Sequence, residues 1–346
     1  MNITFFIGNG FDLNLDLNTS YKHFYKFFKN EAPDNMIAQS INSDYEIWSD
    51  LELGLGEFTK TLTVKQKEQF LDSKDEAEEL LIKYMEKQNS RFHIVDEKAL
   101  IKQIQNNIVN ISREFTPKEQ RHFQAVMNYS DKINYQFIDF NYTDILDKIV
   151  VVIRKNLNPF SKRIIGSQAF SDSIANPIHI HGTTKQNMIL GVNDFSQISN
   201  PDFQNDSELL DYIVKPRLNE NIGYYHSNDV QNVIKESKYI CVFGMSIGDT
   251  DNCWWQSVVR WLLGSTDRRL VLYTRDDTVV AGSAAAQIRF ARKKKEIMLH
   301  RNIKLNPAER QKIINQTIIV NNSDIFNLKG IKIDKEDEDG QVENGD

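Results

Sequence analysis

The sequence has little cysteine and no long apolar stretch. Its two cysteines, Cys241 and Cys253, are too few for a disulfide framework or for a zinc site made of four cysteines. The longest purely aliphatic run, Ile149–Ile153, is far shorter than the roughly 20 residues of a membrane-spanning helix. The first residues, MNITFFIGNGFD, lack the basic and apolar segments of a secretory signal. We therefore expect a soluble, cytoplasmic protein with no membrane partner.

The chain also lacks an excess of positive charge. Its 42 Lys and Arg residues face 48 Asp and Glu residues, which gives a net charge of −6 at pH 7. The segment from Asp334 to Asp346 holds seven acidic residues and one lysine, so the rest of the chain, with 41 residues of each sign, is neutral. Nucleic-acid-binding domains are usually strongly basic. We therefore do not expect nucleic acid as a partner.

Short apolar segments alternate with amphipathic ones along most of the chain. Strands are predicted at Ile3–Ile7, Asn134–Phe140, Pro177–Ile180, Met188–Val192, Lys238–Phe243, Arg269–Thr274 and Gln316–Val320. Helices separate most of them, as at Asp144–Lys155, Glu208–Arg217 and Asn252–Leu263. Alternating strands and helices predict an α/β fold with a doubly wound, mostly parallel, Rossmann-like sheet.

The predicted core is interrupted by a long polar segment. Residues 31–131 keep a helical period of apolar residues, which predicts a helical insertion. The nucleotide-binding α/β core then comprises residues 1–30 and 132–330. Residues 331–346 carry too little apolar surface to order themselves, so we predict a disordered acidic tail.

The first motif, Gly8-Asn9-Gly10-Phe11-Asp12, directly follows a predicted strand. Glycines there could let the backbone approach a phosphate or a ribose, and amide groups could hold the anion. The third glycine of a dinucleotide-binding GxGxxG motif is missing. A tight strand-to-helix turn that needs positive φ explains the same residues, and the sequence leaves both interpretations open.

Two further motifs lie at strand ends. Asn141 and Asp144, in the segment FNYTD, could contact a water molecule or a ribose, although Asn141 or Thr143 could equally cap the following helix. His179 and His181 alternate along a predicted strand and so share a face, as paired zinc ligands do. A single histidine at a strand end could also act as a general base. A hydrogen-bonded core histidine fits His179 better than His181.

The fourth motif, FGMSIGDTD, begins where a strand ends and leads into a helix. Gly244 and Ser246 would line a nucleotide pocket, while the same residues also suit a capped helix entry.

As a set, these motifs resemble the AbiH family of bacterial abortive-infection (anti-phage) proteins. The residues that carry the resemblance run in family order from Phe5 to Asp251: FFIGNGFD, Thr19-Ser20-Tyr21, Trp48–Glu52, FNYTD, HIHG, ILGVND and FGMSIGDTD. The family resembles, more remotely, the sirtuin-like fold of other defence proteins, in which an Asn-Tyr pair and a His-Gly pair act on NAD.

The resemblance implies an anti-phage effector that binds NAD and hydrolyses its nicotinamide–ribose bond without a metal. Asn141 and His181 would be catalytic. The residues around NAD would be Gly8, Asn9, Gly10, Phe11, Asp12, Ser20, Glu52, Asp144, Gly244 and Ser246. Thr143 departs from the sirtuin pattern, in which Asp directly follows the Asn-Tyr pair, and two cysteines cannot supply a deacylase zinc site.

Several alternatives stay open at this point. The pocket could belong to a non-catalytic sensor of NAD or ADP-ribose, or the basic run from Arg289 to Lys295 could serve a nuclease. Glu52 lies on the apolar face of its helix, so it either pairs with a buried arginine or faces the pocket. A phage-derived trigger and a homo-oligomer are compatible with the sequence, which identifies neither.

Overall fold

In a computed structural model of the protein, the described residues are 1–43, 45–223, 226–246, 248, 251–280, 282–299 and 304–336. The strands are β1 Asn2–Ile7, β2 Phe92–Ile94, β3 Asn134–Asp139, β4 Ser161–Ile165, β5 Gln168–Ile174, β6 Ile178–His179, β7 Ser237–Phe243, β8 Arg269–Thr274, β9 Thr317–Asn321 and β10 Ile331–Ile333. The helices are α1 Gly10–Asn14, α2 Tyr21–Glu31, α3 Met36–Ser43, α4 Leu51–Phe58, α5 Lys67–Ser90, α6 Glu97–Val109, α7 Pro117–Asn128, α8 Ile145–Asn156, α9 Ser207–Ile213, α10 Lys215–Asn221, α11 His226–Glu236, α12 Asn252–Leu263, α13 Ala284–Leu299 and α14 Pro307–Gln316.

The main sheet has the strand order β4-β5-β3-β1-β7-β8-β9, with the short β6 paired to β3. Only the β4–β5 pair is antiparallel among the pairs of this sheet in the described chain. The predicted α/β fold with a mostly parallel sheet is confirmed. The strand order reverses between β1 and β7, and open sheets of this kind bind ligands at such reversals.

The register brings the predicted motifs to one edge of the sheet. Ile7, the last residue of β1, lies opposite Asp139 of β3 and Phe243 of β7. Asp139 in turn lies opposite His179 of β6. The loops that follow β1, β3, β6 and β7 therefore start side by side.

Helices cover both faces of the sheet because successive residues of its buried strands point to opposite sides. Phe5 of β1 packs with residues of α6, α7 and α8, whereas Phe6 packs with residues of α11, α12 and α14. Helices α6 and α7 lie within the predicted insertion, yet they contribute to the layer that covers the sheet. A further apolar cluster joins α2, α3, α4 and α5 to the segment from Met188 to Val214. No helix in the described part of the chain is long and apolar enough to cross a membrane.

The predicted strand Met188–Val192 is wrong. Met188, Leu190 and Val192 pack into the cluster of α2 to α5, and Val192 forms an isolated bridge with Val214. The predicted helix Glu208–Arg217 is two helices, α9 and α10, which separate at Val214, just before Lys215 and Pro216. Proline restricts the residue before it and favours the first turn of a new helix.

The start of the predicted disordered tail is ordered, which corrects that prediction. Ile331–Ile333 forms β10 and pairs antiparallel with β2. Beyond it, Asp334 bonds to His93, and Glu336 pairs with the buried guanidinium of Arg91. Residues 337–346 of the predicted tail lie outside the described residues.

Candidate functional site

A cavity of about 360 Å³ opens where β1, β3, β6 and β7 end. Its volume lies within the range of about 300–1,000 Å³ that is usual for small-molecule sites. We call it the strand-end cavity, and it is lined by Gly8, Asn9, Gly10, Asp12, Leu13, Thr19, Tyr21, Asp50, Glu52, Met85, Phe140, Asn141, Tyr142, Thr143, His181, Gly244, Met245, Ser246 and Asp251.

The glycines of the first motif let two loops of the protein pack against each other. A Cβ on Gly8 would lie 2.8 Å from the Cα of Met245, and one on Gly10 would lie 2.5 Å from the Cα of Gly244. Of the three glycines only Gly244 has positive φ, at +70°. The positive-φ turn that the sequence allowed at Gly8 and Gly10 is therefore wrong, because close backbone packing is what excludes a side chain there.

Three other residues predicted to surround the ligand have structural contacts. Asn9 lines the cavity, but its amide bonds to the Thr19 hydroxyl at 2.5 Å and to the Thr19 carbonyl at 3.2 Å. Phe11 lies outside the cavity lining and packs edge-on against Phe326 in the core. Ser20, also outside the lining, caps the amino terminus of α2.

Asp12 is 1% exposed at the wall of the cavity. The Thr143 hydroxyl donates a hydrogen bond to Asp12 Oδ2 at 2.7 Å. Burial raises the pKa of Asp12 to about 8, against the lowering effect of the Thr143 hydrogen bond. Asp12 is therefore mostly a neutral carboxylic acid near pH 7.

Asn141 is held in place by three neighbours. Its backbone amide donates to Asp139 Oδ1 at 3.0 Å, and its side-chain amide donates to the Gly8 carbonyl at 3.4 Å. His179 Nδ1 lies 3.2 Å from the Asn141 carbonyl oxygen. These contacts fix Asn141 at the point where β3 ends.

The two histidines of HIHG bond to different carboxylates. His179 Nε2 lies 2.7 Å from Asp147, which raises the pKa of His179 to about 9 although burial opposes this. His181 Nε2 lies 3.2 Å from Asp251, and burial together with the charge of Lys215 lowers the pKa of His181. Strand β6 ends at His179, so the predicted alternation of both histidines on one strand is wrong. In the described chain no three His, Cys, Asp or Glu side chains group as a metal site would require.

Asp144 lies outside the cavity lining. It pairs with Lys185 at 2.5 Å and with Lys148 at 2.9 Å. Partial burial opposes its ionisation, but the hydrogen bonds from these lysines hold its pKa below the usual value. Its predicted contact with ribose is therefore not supported by its position.

The sequence left open whether Glu52 pairs with a buried cation or faces the pocket. In the structure it does both. The partner is Lys215, at 2.6 Å, and not an arginine. The Tyr142 hydroxyl donates to Glu52 Oε1 at 3.2 Å. Burial raises the pKa of Glu52 to about 7, while Lys215 works in the opposite direction.

The cavity is rich in acidic groups. The carboxylates of Asp12, Asp50, Glu52 and Asp251 line it. Sequence reasoning missed Asp50 and Asp251 as lining residues and Lys215 as the partner of Glu52. Asp50 and Asp251 were inside recognised motifs, whereas no local signal marks Lys215. Among the lining carboxylates, burial opposes the ionisation of Asp251, but the hydrogen bond to His181 lowers its pKa, so Asp251 is ionised and favours a group that carries or develops positive charge.

Comparison with known families decides which family the chain represents. The family model described as "Bacteriophage abortive infection AbiH" matches residues 4–273. This chain belongs to the AbiH family. Membership places it in phage abortive-infection defence. No curated protein matches the chain.

The AbiH match includes every residue that lines the strand-end cavity. The basic run from Arg289 to Lys295, on α13, lies beyond its end. Ile288 and Ile297 of that helix are 62% and 38% exposed. The basic run thus lies outside the matched region and does not line the strand-end cavity, whereas Lys294 lines an adjoining cavity that shares Gly10, Gly244 and Ser246 with it.

Proposed function

We propose that this AbiH-family protein defends against phage by hydrolysing NAD in the strand-end cavity. The proposal adopts the sirtuin-like interpretation of the sheet and takes NAD as the substrate. One observation carries it. Asn141 and His181, which the family resemblance implies as catalytic, line the same cavity, and Asp251 orients His181.

The protonation state of His181 suits a general base. Its lowered pKa leaves the ring neutral near pH 7. If Nε2 carries the hydrogen and donates it to Asp251, Nδ1 is the nitrogen that can accept a proton. A positioned base of this kind typically contributes ~10²–10⁴-fold to the rate.

The reaction is a hydrolysis at C1′ of the nicotinamide ribose. The C1′–N bond breaks and its electron pair stays on the nitrogen, which releases neutral nicotinamide. A water molecule adds to C1′ of the ribose, which Asn141 positions, and gives its proton to His181, which passes it to solvent. The products are nicotinamide, ADP-ribose and a proton.

The acidic lining stabilises the charge that develops in this reaction. Glycosidic cleavage passes through an oxocarbenium-like transition state, with positive charge on the ribose. Asp251 bonds to the proposed base His181, and Glu52 accepts a hydrogen bond from Tyr142.

The direct test is nicotinamide release from NAD by the purified protein, alone and with extract from phage-infected cells. We expect release by the wild type and loss of most release in Asn141→Ala and His181→Ala, with NAD still bound within about tenfold, because each variant loses about one net hydrogen bond. His93→Ala is the matched control, since His93 is half-exposed and bonds to Asp334 away from the cavity.

If the protein is a non-catalytic sensor, we expect it to bind NAD without releasing nicotinamide. Thermal stabilisation of the wild type by NAD, with no nicotinamide released even in infected-cell extract, would show binding without turnover. That result would contradict NAD hydrolysis and support a sensor function.

A further inference from the structure

Two acceptor oxygens at the wall of the strand-end cavity have no hydrogen-bond partner among the described residues. They are Asp12 Oδ1 and Asn141 Oδ1. The two residues are 1% and 5% exposed. A buried polar atom without a partner is costly, so a pair of them beside one cavity indicates that a ligand supplies the donors.

The other end of each side chain is fixed by the protein. Thr143 donates to Asp12 Oδ2, and Asn141 Nδ2 donates to the Gly8 carbonyl. The Gly8 contact sets the orientation of the Asn141 amide, so that its oxygen is left unpaired. Asn141 Oδ1 is therefore an acceptor, and Asp12 Oδ1 is an acceptor whenever the carboxyl group is ionised, so the matching ligand offers two donors.

We infer that Asp12 and Asn141 together recognise the two adjacent hydroxyl groups of a ribose. This inference rests on the proposed function, because the ribose is the one that carries nicotinamide in NAD. It moves the acidic ribose contact from Asp144, which two lysines occupy, to Asp12. The pair would position the ribose with its C1′ atom facing the water held for attack.

Recognition of this kind changes the protonation of Asp12. Burial raises the pKa of Asp12 to about 8, so the free protein holds it mostly as a neutral acid near pH 7. The groups that act on it are Thr143, Asp139, His179 and Asp144. The ionised carboxylate accepts a hydrogen bond more strongly than the neutral acid does, so a ligand that donates to Asp12 favours its ionised form, and we expect binding to release a proton near neutral pH.

The experiment measures equilibrium binding of ADP-ribose, which carries the same ribose and is not cleaved. Its analogues lacking the 2′- or the 3′-hydroxyl of that ribose are measured in parallel. We expect each missing hydroxyl to weaken binding to the wild type about tenfold. Calorimetry in buffers of different ionisation enthalpy should show release of up to one proton with ADP-ribose.

Asp12→Asn provides the variant and Asp144→Asn the matched control. Asp12→Asn should bind ADP-ribose and one of the two deoxy analogues within about twofold of each other, keep the roughly tenfold weaker binding of the other analogue through Asn141, and release no proton, whereas Asp144→Asn should behave as the wild type. If Asp12→Asn fails to fold, the comparison of analogues on the wild type still decides.

The outcomes separate this inference from the proposed hydrolysis. Binding that depends on both hydroxyl groups in the wild type and on only one of them in Asp12→Asn supports it even if NAD is never cleaved. Binding that ignores the hydroxyl groups, or no binding of ADP-ribose, overturns it even if NAD is cleaved. Loss of discrimination in Asp144→Asn alone would return the ribose contact to Asp144.

Discussion

The backbone amide of Gly10 donates a hydrogen bond to the carbonyl oxygen of Gly244 at 2.7 Å, across the reversal between β1 and β7. The amide of Gly8 donates in the same way to Phe243 at 3.0 Å. These contacts join two loops into one wall of the strand-end cavity. The two loops can pack this closely because Gly8, Gly10 and Gly244 carry no side chain.

We predict that Gly10→Ala destabilises the protein by about 1–3 kcal/mol, the usual cost of overpacking. The added Cβ would lie 2.5 Å from the Cα of Gly244, where only backbone movement can relieve the clash. Thermal denaturation measures the effect. Gly282→Ala is the control, because a Cβ there meets nothing within 4 Å. Equal melting temperatures for Gly10→Ala and the wild type would mean that the two loops are not packed as described.

The assembly of this wall could be predicted from the sequence, whereas its chemistry could only partly be predicted. Parallel strands end at one edge of a sheet, so motifs placed after β1, β3 and β7 had to meet. The role of the glycines depended on what lay opposite them. A lone sequence does not show that Gly10 faces Gly244 and not a ligand.

Partners distant in sequence could not be predicted. Lys215 reaches Glu52 across 163 positions, and Asp251 reaches His181 across 70. The apolar run Met188–Val192 looked like a strand because burial in a helical cluster and burial in a sheet select the same residues. Residues 331–336 are mostly polar, and they are ordered by pairing with β2 and Arg91, which composition does not reveal.

We predict that Lys215→Met destabilises the protein by about 3–5 kcal/mol, the cost of removing one partner of a buried ion pair. The variant leaves Glu52 beside the charges of Asp50 and Asp251. The double variant with Glu52→Leu should recover most of this loss. Chemical denaturation of the single and double variants checks it, and an unchanged midpoint for Lys215→Met would rule out a structural role for the pair.

We predict that the stability of the protein falls with rising pH partly through Asp12. Its pKa is 3.8 in a model peptide and about 8 in the folded protein. Between these values the folded state holds a proton that the unfolded state has lost, so stability decreases as pH rises through this window. Melting temperatures are measured from pH 5 to 8 for the wild type and for Asp12→Asn. The melting temperature of Asp12→Asn should rise relative to that of the wild type as pH increases. If the melting temperatures of the two proteins change in parallel with pH, the pKa of Asp12 is not raised in the folded protein.

We predict that Glu336→Ala lowers stability by about 1–3 kcal/mol, because the buried guanidinium of Arg91 loses its charged partner. Glu336 also accepts hydrogen bonds from Gln88 and Asn18, both at 2.6 Å. Lys335→Ala is the neighbouring control, since Lys335 is exposed. Thermal denaturation measures both variants. If both have the melting temperature of the wild type, the segment after β10 does not contribute to the stability of the fold.

The most direct test of the central claim is the concentration of NAD in cells during phage infection. Cells that carry the wild-type protein and cells that carry His181→Ala, expressed at equal levels, are infected and sampled over time. We predict that NAD falls, and that phage growth is blocked, only in cells with the wild-type protein. Protection by the wild type with NAD unchanged, or protection that His181→Ala retains, would contradict NAD hydrolysis as the basis of defence.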